Sequence, residues 1–136
     1  MTVVVDPGFV LALVRRRHPR HTDALELVET LDEDLVTSPL ALADIDRGVA
    51  RHAGFDAQVA VRRDFERGAY AVRWWADALK ETLDIARAHP ALGLTSASLV
   101  AVAARMNTRR IATFDELFRT LTTPDGEAFV VLPADR

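Results

Sequence analysis

The chain has 136 residues, no cysteine and a formal net charge of −3, with 17 basic against 20 acidic side chains. Because 49% of the residues are hydrophobic, we expect one compact domain over residues 1–136 that needs no disulfide or structural metal. The lack of cysteine excludes disulfide scaffolds, cysteine-bound zinc, iron–sulfur clusters and thiol catalysis. No secretory signal is visible, and the longest uncharged stretch, residues 91–104, is too short to span a bilayer. We therefore expect a cytoplasmic protein with no membrane partner.

Strands and helices are predicted to alternate along the whole chain. Short β-branched runs, proline and glycine stops, and apolar side chains at helical spacing mark the elements. The predicted strands cover residues 2–5, 35–37, 70–75, 110–113 and 128–132, and the predicted helices cover residues 9–17, 22–31, 39–52, 56–67, 77–88, 97–106 and a short segment after Asp115. Since no hairpin joins the strands, the pattern predicts an α/β fold, a parallel sheet of about five strands flanked by helices on both faces.

Apolar spacing also predicts which helix faces meet the core. In the second helix Leu25 and Val28 are expected to face inward, and in the third helix the row of Leu42, Ile45 and Val49 does the same. Pattern alone does not separate such a face from a dimer surface.

Two aspartates directly follow predicted strands, and a third lies close to another. Asp6 follows the first strand, Asp115 follows the strand over 110–113, and Asp44 lies early in the helix after the strand over 35–37. Ligands of open α/β sheets bind beyond the carboxyl ends of the strands, so these three carboxylates are expected to converge there. Oxygen ligands suit Mg²⁺ or Mn²⁺, which can activate water for attack on a phosphodiester.

Each of these acids also has a purely structural interpretation. Asp115 is placed to cap a short helix, and Asp44 is placed to pair with Arg47 at i+3. Asp6, before a proline and a glycine, is placed to start a turn. Spacing alone leaves both interpretations open for every one of the three.

Four segments in chain order carry a family resemblance. They are the opening Val-Val-Val-Asp6, the stretch over 35–46 with Asp44, the stretch over 92–101, and Ile111-Ala-Thr-Phe-Asp115 with the Leu-Phe-Arg that follows. Together they resemble the PIN-domain family, the nuclease family of VapC-type toxins. The resemblance implies a helix-flanked parallel sheet and Mg²⁺- or Mn²⁺-dependent cleavage of RNA, with metal held by Asp6, Asp44 and Asp115. It also implies a homodimer and a small antitoxin protein as partner.

Two positions depart from the family's pattern. Ser96 stands where the family has its third acid, and a neutral hydroxyl does not replace the charge of a carboxylate. Gly8 stands where the family often has a serine or threonine that supports the first acid. We therefore predict a weakened site with at most one weakly bound ion, supported by Thr113, and expect Ser96 to cap the helix over 97–106. The alternative is a catalytically inactive PIN fold that binds RNA or an antitoxin.

One basic cluster is a candidate for contact with RNA phosphates. It contains Arg15, Arg16, Arg17 and Arg20, together with His18 and His21. If the first helix runs to Arg17, the cluster lies about 15 Å from Asp6 at the helical rise per residue. A solvated helix end is therefore the competing interpretation.

Overall fold

The computed structural model describes all 136 residues and confirms the predicted order of strands and helices. The elements are β1 (Thr2–Val5), α1 (Pro7–Val14), α2 (His21–Thr30), β2 (Asp34–Thr37), α3 (Pro39–Ala53), α4 (Phe55–Glu66), β3 (Ala71–Val72), α5 (Ala78–Ala88), α6 (Leu94–Arg105), β4 (Arg110–Ala112), a 3₁₀ helix (Glu116–Thr120) and β5 (Val130–Leu132). None of the helices combines the length and the apolar character needed to cross a membrane.

All strand pairs in the five-stranded sheet are parallel, and the order across it is β3-β2-β1-β4-β5. Val4 at the centre pairs with Val36 of β2 on one side and Ile111 of β4 on the other. From β1 the chain first builds the sheet outward to β3, and later returns to the opposite side of β1 with β4. The order therefore reverses between β1 and β4, and in such sheets the crevice beyond that point is the usual ligand site.

Helices cover both faces of the sheet, as predicted. Because side chains alternate along a strand, Val4 packs on one face with Leu99 and Val102 of α6. Val3 and Val5 pack on the other face, in a cluster that includes residues of α1, α2 and α3; its fully buried members include Phe9, Leu27 and Ile45. The strands are thus buried on both sides, which explains their short β-branched sequences.

The core faces of two helices differ from the prediction. In α2 the buried residues are Ala24 and Leu27, whereas Leu25 is 40% exposed. In α3 Ala41 replaces the predicted Leu42 on the buried row, and Leu42 is only half-buried. The prediction counted large apolar residues, but alanine occupies one of the buried positions in each helix.

Two helix ends and one strand also differ from the prediction. α1 ends at Val14 rather than Arg17. The chain turns after it, and His21 Nδ1 lies 2.9 Å from the carbonyl oxygen of Ala12. β3 is confined to two residues at the sheet edge, since the following Trp75 leaves the strand to pack against the core. α6 begins at Leu94, before the predicted start.

Candidate active site

Asp6 follows β1 at the reversal of strand order and is only 7% exposed. Its Oδ1 accepts the backbone N–H of Phe9 at 2.8 Å and so caps α1, whose first residue, Pro7, has no N–H to satisfy. Its Oδ2 accepts the hydroxyl of Thr113. Burial raises the pKa of Asp6 to about 6; the charge of Asp115 adds to the rise, and the two hydrogen bonds oppose it. Asp6 is therefore a buried carboxyl group with fixed orientation.

Thr113 connects the ends of the two central strands. Its buried hydroxyl donates to Asp6 and accepts the backbone N–H of Asp115 at 2.9 Å. Asp115 is exposed, and its Oδ1 caps the 3₁₀ helix by accepting the N–H of Leu117 at 2.9 Å. The structural interpretation of Asp115 is thus correct. The same backbone geometry also places its carboxylate near Asp6.

Asp44 on α3 has a different set of partners. One carboxylate oxygen pairs with the guanidinium of Arg47, as the i+3 spacing predicted, and the other accepts the hydroxyl of Thr95 at the start of α6. The contact with Thr95 was not predicted, because no local pattern links α3 with a residue 51 positions away. Asp44 is therefore held between its own helix and α6.

A buried chain of hydroxyl groups holds Thr95 in place. The hydroxyl of Ser98 donates to the carbonyl oxygen of Thr95 at 2.6 Å, and the hydroxyl of Ser38 lies 2.7 Å from that of Ser98. Because Ser98 has one hydroxyl proton and gives it to Thr95, Ser38 must be the donor to Ser98. Ser38 in turn accepts the N–H of Ala41 at 3.1 Å and caps α3. The starts of α3 and α6 are thereby fixed to each other.

All three predicted carboxylates line one open pocket of about 430 Å³. The lining consists of Asp6, Pro7, Gly8, His18, Asp44, Thr95, Ser96, Phe114 and Asp115. The pocket lies beyond the carboxyl ends of β1 and β4, where the topology predicts a ligand site. However, no group of three histidine, aspartate or glutamate side chains is arranged to hold a metal ion by itself.

Within this pocket, Asp6 and Asp115 are the pair whose chemistry fits a hard divalent cation. The charge of Asp115 contributes to the raised pKa of Asp6, and neither carboxylate forms a salt bridge. Mg²⁺ commonly keeps several waters and binds through one or two carboxylates plus the phosphates of its substrate. Two acids without a cationic partner therefore fit such an ion, although a complete protein cage is absent.

The two positions that depart from the family pattern both line this pocket. Ser96 is half-buried in the first turn of α6, and the N-cap residue of that helix is Gly93, with no side-chain cap. The expectation that Ser96 caps a helix is therefore wrong, because the helix begins earlier than predicted. A Cβ built on Gly8 would lie 3.7 Å from Oδ1 of Asp6, an ordinary contact distance. A Cβ at position 8 therefore fits without displacing its neighbours.

The basic segment lies closer to the pocket than predicted. Because α1 ends at Val14, residues 15–20 fold back, and His18 lines the same pocket as Asp6. The guanidinium of Arg20 lies 5.5 Å from the centre of the Phe114 ring, which also lines the pocket. The predicted separation of about 15 Å assumed a helix that runs to Arg17, whereas α1 ends at Val14 and His18 lines the pocket. Arg15, Arg16 and Arg17 form no salt bridge.

Comparison with solved structures identifies the fold. VapC20 of Mycobacterium tuberculosis, described as a toxin that cleaves the sarcin–ricin loop, superposes with a TM-score of 0.77 at 22% identity, over 83% of this chain and 89% of that one. A toxin–antitoxin complex from Klebsiella pneumoniae matches with a TM-score of 0.66 at 13% identity, over 84% of this chain and 87% of that one. VapBC2 from Rickettsia felis, solved with a DNA fragment from its promoter, matches with a TM-score of 0.67 at 12% identity, over 96% of this chain and 97% of that one.

Sequence comparison extends this result beyond the fold. Ribonuclease VapC26 of Mycobacterium tuberculosis is 30% identical over 135 residues, which are 96% of this chain and 100% of that protein. The PIN domain family model matches residues 3–123, a span that includes Asp6, Asp44, Ser96 and Asp115. The chain therefore belongs to the PIN domain family.

Proposed function

We propose that this protein is a VapC-like ribonuclease that hydrolyses RNA phosphodiesters with Mg²⁺ or Mn²⁺ at the pocket of Asp6, Asp44 and Asp115. The observation that carries the proposal is that these carboxylates, from three separate elements, line one pocket at the reversal of strand order. The similarity to Ribonuclease VapC26 over nearly the whole chain supports the same activity. The pocket is open, so an RNA backbone can reach the acids.

The residues of the pocket would either bind the metal ion or orient the acids that bind it. A divalent cation supplies Lewis-acid chemistry, polarising the phosphodiester and stabilising the charge that develops during in-line attack. Asp6 and Asp115 would hold it, and Asp44, which lines the same pocket, would be an auxiliary acid. Thr113 orients Asp6, and Thr95 orients Asp44, each through a hydroxyl donated to the carboxylate. Both acids are therefore positioned before any cation or RNA binds.

We further propose that this site is weaker than a site with four acids. Ser96 contributes a hydroxyl where a carboxylate would add a negative charge, and Gly8 contributes no hydrogen bond to Asp6. Loss of a group that supports a metal ligand commonly costs 10- to 100-fold in metal affinity or activity, and loss of a ligand costs more.

RNA cleavage with Mn²⁺ tests the proposal directly. The substrates are a structured and a single-stranded RNA, and the variants are Asp6→Asn, Ser96→Asp and the control Asp56→Asn, an exposed acid on α4. We expect slow cleavage by the wild type, loss of cleavage in Asp6→Asn, faster cleavage in Ser96→Asp and no change in the control. Cleavage that survives Asp6→Asn would show that the reaction does not use this pocket.

The second candidate is a PIN fold that binds RNA or an antitoxin without cleaving. Ser96, and the lack of a ready group of three metal-binding side chains, favour it. It predicts that the wild type binds RNA but shows no cleavage at millimolar Mn²⁺, whereas Ser96→Asp gains cleavage. The ribonuclease proposal predicts measurable cleavage by both proteins.

The partners and the extent of the domain are also proposals. We propose a small antitoxin as partner, since the fold neighbours include a toxin–antitoxin complex. We propose a single PIN-like domain over residues 1–136, because β5, beyond the matched span, completes the sheet by pairing with β4.

We also propose a homodimer, since Leu79 and Leu83 on α5 are 55% and 41% exposed at i, i+4 spacing. Light scattering should give a dimer mass, and the double change Leu79→Glu/Leu83→Glu a monomer mass.

A further inference from the structure

His18 lines the acidic pocket but has no role in the proposed metal site. It lies in the turn between α1 and α2, is half-buried, and reaches the pocket because residues 15–20 fold back from the end of α1. It lies among the basic side chains of that turn, whereas Asp6 and Asp115 lie beyond the carboxyl ends of β1 and β4. The pocket is therefore lined by three acids and by a histidine that is surrounded by basic side chains.

The turn itself determines which nitrogen of His18 carries the proton. Nδ1 accepts the backbone N–H of Arg20 at 3.0 Å. A ring nitrogen that accepts a hydrogen bond is unprotonated, so the neutral imidazole carries its proton on Nε2. Nε2 has no hydrogen-bond partner within the chain, because the only side-chain hydrogen bond of His18 is the one at Nδ1. His18 lines the pocket, and its ring therefore keeps one donor without a partner in the chain.

The charge state of the ring agrees with this arrangement. Partial burial, followed by the charges of Arg15, His21 and Arg20, lowers the pKa of His18. The lowered pKa favours the neutral ring, and protonation at Nδ1 would break its bond with Arg20. No carboxylate is among the groups that shift this pKa.

The other side chains of the pocket leave few donors for a bound phosphate. Three of the lining residues (Pro7, Gly8 and Phe114) have no side-chain donor, and three are acids that repel an anion. Thr95 already gives its hydroxyl proton to Asp44. Only His18 and Ser96 retain a side-chain donor, and His18 is the one beside the arginines that attract the RNA backbone.

We propose that Nε2–H of His18 donates a hydrogen bond to a non-bridging phosphate oxygen of the RNA bound in this pocket. The assignment rests on the ribonuclease function proposed above and adds the group that positions the substrate phosphate opposite the acids. His18 is thus a substrate-binding residue, and the arginines around it attract the RNA backbone without forming a fixed contact.

Two matched substitutions separate substrate binding from support of the turn. In His18→Asn the side-chain oxygen replaces Nδ1 and keeps the bond with the N–H of Arg20, but nothing replaces Nε2. In His18→Gln the terminal amide replaces Nε2 as a donor, and the bond with Arg20 is lost. A role in binding phosphate therefore predicts weaker RNA binding by His18→Asn and nearly normal binding by His18→Gln. A role limited to supporting the turn predicts weaker binding by His18→Gln and nearly normal binding by His18→Asn.

The experiment measures binding of a labelled single-stranded RNA by fluorescence anisotropy in EDTA, and then KM and kcat for its cleavage with Mn²⁺. We expect Kd and KM to rise about tenfold in His18→Asn, as for loss of one hydrogen bond to a charged group, and by about twofold or less in His18→Gln. Circular dichroism and thermal unfolding show whether both variants are folded. Wild-type affinity in His18→Asn, or weaker binding by His18→Gln than by His18→Asn, would overturn the assignment.

The same data separate this inference from the proposal on which it rests. If the wild type cleaves RNA and His18→Asn is unchanged, only the role of His18 is wrong. If the wild type neither binds nor cleaves RNA, the ribonuclease function and the role of His18 are both wrong.

Discussion

Two carboxylates in one pocket, Asp6 and Asp44, differ in the partners that hold them. Asp6 is buried at the carboxyl end of β1 and held by a backbone N–H and a threonine hydroxyl, and it forms no salt bridge. Asp44 is half-exposed on α3 and is already paired with the guanidinium of Arg47. A buried acid without a cationic partner gains most from a bound divalent cation, so we assign the proposed metal to Asp6 and Asp115. Asp44 would be the auxiliary acid.

The largest expected effect is the loss of RNA cleavage when one of the two acids is replaced. We predict that Asp6→Asn lowers Mn²⁺-dependent RNA cleavage by more than about 100-fold and Asp44→Asn by about tenfold, because Asp44 has a counter-charge of its own. Asparagine retains an oxygen that can accept the N–H of Phe9, so the cap of α1 survives. Single-turnover rates with saturating Mn²⁺ measure both. An equal or larger loss in Asp44→Asn would reverse the order assigned to the two acids.

The next prediction concerns the threonine that orients Asp6. Thr113→Val removes the hydroxyl that bonds with both Asp6 and the N–H of Asp115, and we expect a loss of about 2–3 kcal/mol in the free energy of unfolding. Thr82→Val is the matched control, since the Thr82 hydroxyl is buried without a partner and its removal should be neutral or stabilising. Urea denaturation of both variants provides the test. A cost as large in Thr82→Val would mean that burial of a methyl group in place of a hydroxyl, and not loss of the hydrogen bonds, explains the result.

The raised pKa of Asp6 predicts a pH dependence of stability in the metal-free protein. Since the pKa of this carboxyl group is about 6 in the folded protein and 3.8 for an unperturbed aspartate, the folded protein binds a proton that the unfolded chain releases between these values. The free energy of unfolding should therefore rise by about 1.4 kcal/mol per unit as pH falls below 6, by about 3 kcal/mol in total.

Urea denaturation in EDTA between pH 7.5 and 5 measures the first part of this gain, with Asp6→Asn as the comparison. The variant has no carboxyl group to titrate at this position, so its curve should be flatter. Equal slopes for the two proteins would show that Asp6 is not the group with the raised pKa.

The smallest expected effect comes from Gly8. Because a Cβ there lies 3.7 Å from Oδ1 of Asp6, Gly8→Ser should be tolerated and its hydroxyl should add a hydrogen bond to that carboxylate. We expect a severalfold rise in cleavage rate or Mn²⁺ affinity, whereas the control Gly8→Ala should change neither. A similar gain in Gly8→Ala would assign the effect to helix propensity instead.

Local pattern predicted the parts of the site that follow from strand order. Asp6 and Asp115 each follow a strand, and parallel pairing of β1 with β4 brings their ends together. Thr95 and Ser98 were missed because their bonds reach α3 across 51 and 60 positions, a distance that spacing does not encode. His18 was predicted in the basic cluster but not at the pocket, because the prediction extended α1 to Arg17 whereas the helix ends at Val14.

The most direct test of the proposed metal site is a crystal of the wild-type protein soaked in millimolar Mn²⁺ and measured for anomalous scattering. We predict one ion that contacts the carboxylates of both Asp6 and Asp115, and a stronger peak at the same place in Ser96→Asp. No ion in this pocket, or an ion bound only at Asp44, would contradict the claim that Asp6, the buried acid without a salt bridge, is a metal ligand.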